Sequence, residues 1–201
     1  MSQSSNGVLT GKKVLVGLTG GIACYKVPYV IRELYKAGAE TKVVMTEAAT
    51  KFITPLTLES VSNNPVAVEM FPEDGFVSTR HIDLATWPDL VVIAPATANF
   101  IGKIASGVFD DLLTTVVCAS PKPVLVAPAM NPQMWMHPAV VRNAAYLKEI
   151  GYHFVGPEEG DMACDHVGVG RMSEPPEIYA AIEKLLVAGG KSSKAAQKKK
   201  H

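Results

Sequence analysis

A chain of 201 residues, 48% hydrophobic and 19% charged, has the size and composition of one globular domain. Lys plus Arg and Asp plus Glu each number 19, so the formal net charge is zero and no global basic field draws in nucleic acid or anionic lipid. Three scattered cysteines exclude a disulfide framework and suit a reducing, cytoplasmic compartment; no apolar run reaches the ~20 residues of a membrane helix, and the opening MSQSSNGVLTGKK lacks the apolar stretch of a signal peptide.

Residues 1–11 read as a flexible N-terminus. A short apolar, β-branched run then predicts a buried strand over 14–18, followed at once by Gly20 and Gly21. Val27, Val30, Ile31 and Leu34 recur at three and four, which predicts a helix over 22–37 stopped by Gly38. A second strand is expected over 42–45, with Thr46 opening the next turn. The third strand, DLVVIA over 89–94, ends in PATAN. Residues 101–119 hold two short helical stretches, with Gly107 between them and Asp110 as the expected N-cap. A fourth strand over 124–127 ends in PAMNPQMW. A helix over 138–151 has Pro138 at its first position and Gly151 past its end. A fifth strand covers 152–155. EEGDMACDHVGVGRM, residues 158–172, reads as a glycine-rich loop, and 175–187 as the last helix. Residues 189–201 carry no apolar pattern and read as a disordered, Lys-rich tail, which leaves 12–188 as the folded domain.

Alternation of strands and helices predicts an α/β fold: a doubly wound, Rossmann-like (flavodoxin-like) parallel sheet with helices on both faces. Ligands of such sheets bind at the carboxyl ends of the strands, so the segments following each strand are the candidate site. The turn GLTGGIA offers backbone N–H groups at a helix start, an anion site by geometry and dipole. It has neither a P-loop lysine nor the full dinucleotide spacing, and Thr46 stands where a ribose-binding acid would close the second strand. A single phosphate on Gly20, Gly21 and the Thr46 hydroxyl is one reading; a plain tight βα turn is the other. PATAN and PAMN each place an asparagine, Asn99 and Asn131, shortly after a strand-end proline. Two such amides suit the polar edge of a flat heterocycle or a carboxylate; each alone is also an ordinary cap or turn residue. His81 is a candidate for proton transfer, or a surface or capping residue. Cys24 and Cys118 fall within helical patterns and read as buried packing residues. Cys164 and His166 have no second pair at ligand spacing, so no metal is expected.

Taken together and in order, APATANFIGKIASGVFDDLLTTVV, PAMNPQMW and ACDHVGVGRMSEP make residues 12–186 resemble the homo-oligomeric flavin-containing cysteine decarboxylases. The resemblance implies an FMN-dependent carboxy-lyase. The phosphate of FMN would rest on Gly20, Gly21 and Thr46; Phe52 would lie near its ring system, with Ala96, Thr97, Ala98 and Asn99 along the edge. It implies His81 as catalytic base, Asn131 and Met134 as the holders of the substrate carboxylate, and Cys164 as catalytic proton donor. The implied reaction converts 4′-phosphopantothenoylcysteine to 4′-phosphopantetheine in coenzyme A synthesis: flavin oxidation to a thioaldehyde, loss of CO2, and re-reduction of the ene-thiolate. Trimers, or dodecamers built of trimers, with site residues from a neighbouring copy, belong to the same implication, as does a separate phosphopantothenate–cysteine ligase supplying the substrate. Asp165 and His166 stand where the family has Gly-Asp. Two other readings are an oxidative decarboxylase of peptides ending in cysteine and a non-catalytic FMN-binding regulatory subunit.

Overall fold

The computed structural model describes residues 7–71, 80–161 and 167–197. Its centre is a six-stranded parallel sheet in the order β3-β2-β1-β4-β5-β6, formed by β1 (Lys13–Leu18), β2 (Glu40–Met45), β3 (Val66–Ala67), β4 (Leu90–Ala96), β5 (Val124–Pro128) and β6 (His153–Phe154). This is the doubly wound order, and its direction reverses between β1 and β4, which pair in parallel from Val14 against Leu90 to Gly17 against Ile93.

Period-two alternation along the strands feeds two cores. Val14, Val16 and Leu18 join Val43, Val92 and Leu125 on one face, under α1 (Val27–Lys36), α3 (Pro55–Ser62) and α9 (Pro175–Gln197). Leu15, Val44, Val91, Ile93 and Val126 point to the other face, under α4 (Arg80–Thr86), α5 (Ala98–Ala105), α6 (Leu112–Ala119) and α8 (Pro138–Glu149). Strands buried on both sides must be apolar throughout, which is why the sequence shows runs rather than alternation. Gly17 leaves room for α6: a Cβ there would stand 2.5 Å from Leu113 Cδ1.

Several element ends differ from the sequence reading. The expected helix over 22–37 splits into a 3-10 turn, Ile22–Lys26, and α1, because Pro28 has no N–H to continue an α-helical ladder backwards and sits at the start of α1 instead. Asp111, not Asp110, caps α6: its carboxylate accepts the Thr114 N–H at 2.8 Å and the Thr114 hydroxyl accepts the Asp111 N–H at 3.2 Å, a reciprocal box worth about 1 kcal/mol. Asp110 is occupied by Lys103, 2.7 Å away. Cys118 is exposed on α6, whereas Cys24 is buried as expected. The last helix runs on past Val187 to Gln197. Within the expected loop over 158–172, two stretches are instead strands, β7 (Glu158–Asp161) and β8 (Val167–Arg171), paired as an antiparallel ribbon from Glu158 against Arg171 to Asp161 against Val167.

Candidate active site

The crevice at the reversal point is built by Thr19, the residue after β1. Its buried hydroxyl donates to the Pro95 carbonyl at 2.7 Å and accepts the Thr97 N–H at 3.0 Å, stitching the ends of β1 and β4 together. Thr97 in turn caps α5, accepting the Phe100 N–H at 3.3 Å. The glycines between Thr19 and the 3-10 turn have different reasons to be glycine. A Cβ at Gly20 would lie 2.6 Å from the Ala48 Cβ, so packing against α2 (Glu47–Thr50) forbids one. A Cβ at Gly21 would meet nothing closer than Thr97 Cγ2 at 3.7 Å, so its bareness leaves space open above the turn. No side chain caps the 3-10 turn that starts here, which leaves backbone donors for an anion.

That space is one end of a cavity of about 720 Å³, within the usual range of ligand sites. Gly20, Gly21 and Thr97 line it, as do Asn131 and Met134 from the PAMNPQMW turn. Asn131 caps α7 (Pro132–Trp135), its Oδ1 accepting the Gln133 N–H at 2.8 Å, which fixes the side chain at the cavity wall. The β7–β8 ribbon is laid on this turn. Met130 N–H donates to the Gly170 carbonyl at 2.9 Å. Only a glycine at 168 permits the approach, since a Cβ would stand 2.9 Å from Pro132 Cγ.

Three charged residues that sequence reasoning missed complete the wall. The Lys26 ammonium, on a residue only 8% exposed, lies 2.7 Å from Glu174 Oε1, and the Arg171 guanidinium reaches the same oxygen at 3.2 Å. A signal for Lys26 existed: it follows Ala23 by three and precedes Val30 by four, both buried, so it lies on the buried stripe where a charge requires a partner. Neither Arg171 nor Glu174 carries such a signal.

Of the remaining expected site residues, Thr46, Phe52, His81, Ala96, Ala98 and Asn99 do not line this cavity. The Thr46 hydroxyl caps α2, accepting the Ala49 N–H at 3.3 Å. Phe52 is exposed just beyond α2, Ala96 is buried in the core at the end of β4, and Ala98 and Asn99 form the first turn of α5. His81 is half-buried on α4. Cys164, with Asp165 and His166, lies outside the described residues. Cys24 is a packing thiol: it donates to the Thr19 carbonyl at 3.3 Å, and burial pushes its pKa up, away from the thiolate. Among the described residues no group of His, Cys, Asp and Glu could hold a metal ion.

A doubly wound sheet with a glycine turn and a cavity bearing the Asn131 amide at its reversal point is a cofactor-binding architecture, and comparison with known proteins agrees. The family model described as Flavoprotein matches residues 2–187, and the chain belongs to that family. It is 47% identical over 177 residues to the Coenzyme A biosynthesis bifunctional protein CoaBC of Bacillus subtilis, covering 88% of this chain and 44% of that protein. The chain therefore spans less than half the length of that relative. Among solved structures it is similar to the FMN-dependent cysteine decarboxylase SpaF (34% identity, TM-score 0.78, 90% of this chain and 99% of that one). It is also similar to a PPC decarboxylase mutant complexed with pantothenoylaminoethenethiol (32% identity, TM-score 0.73, 85% and 96%).

Proposed function

We propose that this protein is an FMN-dependent decarboxylase that converts 4′-phosphopantothenoylcysteine to 4′-phosphopantetheine in coenzyme A synthesis. The observation that carries the reading is the cavity that joins the Gly20–Gly21 turn and Thr97 to Asn131 and Met134. The likeness to PPC decarboxylase over nearly the whole of that chain, and to CoaBC, supports the choice of substrate.

The residues present fit FMN. The open space at Gly21 and the uncapped turn suit its phosphate, and the lining from Ile22, Tyr25 and Met130 suits an apolar ring system. Gly20, Gly21 and Thr97 would hold it from the cavity lining; Thr46, Phe52, Ala96, Ala98 and Asn99, which stand outside that lining, complete the proposed cofactor set from the segments following β2 and closing β4. When bound, the flavin supplies reversible oxidation of the thiol-bearing carbon, which gives the departing carboxylate's electrons somewhere to go.

The protein's own tasks follow from its residues. Asn131, fixed by its cap, hydrogen-bonds the substrate carboxylate without neutralising it, and Met134 packs beside it. His81 removes the proton that must leave before oxidation. Cys164 returns a proton when the ene-thiolate is converted to product. Since His81 stands away from this cavity, it serves the site of a neighbouring copy in a homo-oligomer, a trimer or a dodecamer of trimers. Ile22, Tyr25 and Tyr29, apolar and exposed beside the cavity, support such a contact. No helix among the described residues is long and apolar enough to cross a membrane; the working compartment proposed is the cytoplasm, with a phosphopantothenate–cysteine ligase as the source of substrate.

The test is a choice of substrates. FMN-loaded protein is given 4′-phosphopantothenoylcysteine or a peptide ending in cysteine, and CO2 and thiol products are quantified. Turnover of the first to 4′-phosphopantetheine is expected. Turnover of the peptide alone would move the activity to peptidyl-cysteine decarboxylation.

A further inference from the structure

The cavity contains more positive charge than its own ion pairs consume. Its lining holds two cations, Lys26 and Arg171, against one carboxylate, Glu174, so 2 − 1 leaves a net charge of +1. Lys26 is the more buried and makes the shorter contact, 2.7 Å against 3.2 Å, so Glu174 chiefly neutralises Lys26. Arg171 shares the same oxygen, and its Nε is buried without a hydrogen-bond partner. The stem is held under the ribbon, where Gly160 gives way: a Cβ there would stand 2.9 Å from Nε. With Nε anchored there, the terminal nitrogens stay part-exposed in the cavity wall, 38% for the side chain, and a guanidinium fixed in this way matches a phosphate group, which it can bind through paired N–H contacts.

We infer that Arg171, braced by Glu174 from Lys26, is the specificity determinant for the terminal phosphate of the substrate. This rests on the proposed function. The substrate carries two anions, and the chemistry assigns them to different partners. A cation on the carboxylate would stabilise the ground state more than a transition state in which that charge is leaving, so the neutral amide of Asn131 belongs there. The phosphate keeps its charge throughout, so a cation on it stabilises ground and transition states alike and acts on KM. The flavin also has a phosphate, but the Gly20–Gly21 turn offers it backbone donors without a side-chain cation.

The experiment compares wild type, Arg171→Met and Arg171→Lys on 4′-phosphopantothenoylcysteine and on pantothenoylcysteine, which lacks the phosphate. Affinities for FMN and for riboflavin are measured alongside. The wild type is expected to prefer the phosphorylated compound. Arg171→Met should shrink that preference by about ten- to a hundredfold, the yield of losing a charge-assisted contact, and through KM. Arg171→Lys should keep part of it, since it keeps the charge. An equal loss on both compounds, or a wild type without preference, would overturn the assignment. So would a change in the FMN-to-riboflavin ratio, which would give the cation to the cofactor. Turnover of neither compound by wild type would sink the proposed function itself, and this assignment with it.

Discussion

Asn131→Asp is expected to lose on the order of a hundred- to a thousandfold in kcat/KM while melting within about 2 °C of wild type. The two halves of that expectation come from the two jobs of one side chain. As the N-cap of α7, Asn131 needs only an acceptor oxygen for the Gln133 N–H, and aspartate caps as well as asparagine does. As the proposed partner of a carboxylate, it needs a donor, which aspartate lacks, and it must not bring a like charge. Two carboxylates about 4 Å apart at an effective dielectric of ~20 repel by ~4 kcal/mol, enough for the stated loss. Thermal melting and steady-state decarboxylation measure the halves separately. A variant that keeps activity would remove Asn131 from substrate binding; one that unfolds would make its role purely structural.

Gly20→Val and Gly21→Ala should part company in the opposite sense. The Gly20 Cβ position lies 2.6 Å from the Ala48 Cβ and 3.1 Å from the Ala48 carbonyl carbon, and backbone cannot step aside cheaply. Overpacking of this kind costs ~1–3 kcal/mol, and a chain of this size loses ~2–4 °C in Tm for each kcal/mol. Gly20→Val is therefore expected to melt several degrees lower and to be purified with little flavin. At Gly21 the new methyl would touch only Thr97 Cγ2 at 3.7 Å, ordinary contact, so stability is kept. What it removes is free space in the cavity wall beside the uncapped turn. Flavin affinity should fall at least about tenfold with Tm of the flavin-free protein unchanged. Absorbance of bound flavin per chain and a melt of each variant decide it; a Gly21→Ala protein that binds FMN as tightly as wild type would move the phosphate elsewhere.

The sheet was legible because each buried strand is a compact apolar run closed by a glycine, threonine or proline turn. β3 was not, since Val66–Ala67 is too short to show any period and pairs only with Val43 and Val44. The β7–β8 ribbon was hidden for a different reason. Gly160, Gly168 and Gly170 have no strand propensity, and the ribbon exists because its backbone pairs and its bare glycines fit over Pro132 and Arg171. Asp110 and Asp111 are adjacent and identical, and only the position of Thr114, three residues on from the second, selects the cap.

At the site, glycines and amides at strand ends were readable because turn chemistry is local. The charged wall was not, because Lys26 meets Glu174, and through it Arg171, only through folding, across most of the chain. His81 as base, already a candidate for proton transfer, and Cys164 as donor were assigned from the family's motifs. The first lies on α4, apart from the cavity, and the second outside the described residues. Their roles stay tied to the proposed reaction.

That reaction is tested most directly by adding 4′-phosphopantothenoylcysteine to the FMN-loaded protein without oxygen, following the oxidised-flavin absorbance while 4′-phosphopantetheine is quantified. A transient bleaching that recovers as product accumulates is expected. A flavin that neither bleaches nor is needed for product, or bleaching with no thiol product, would contradict it.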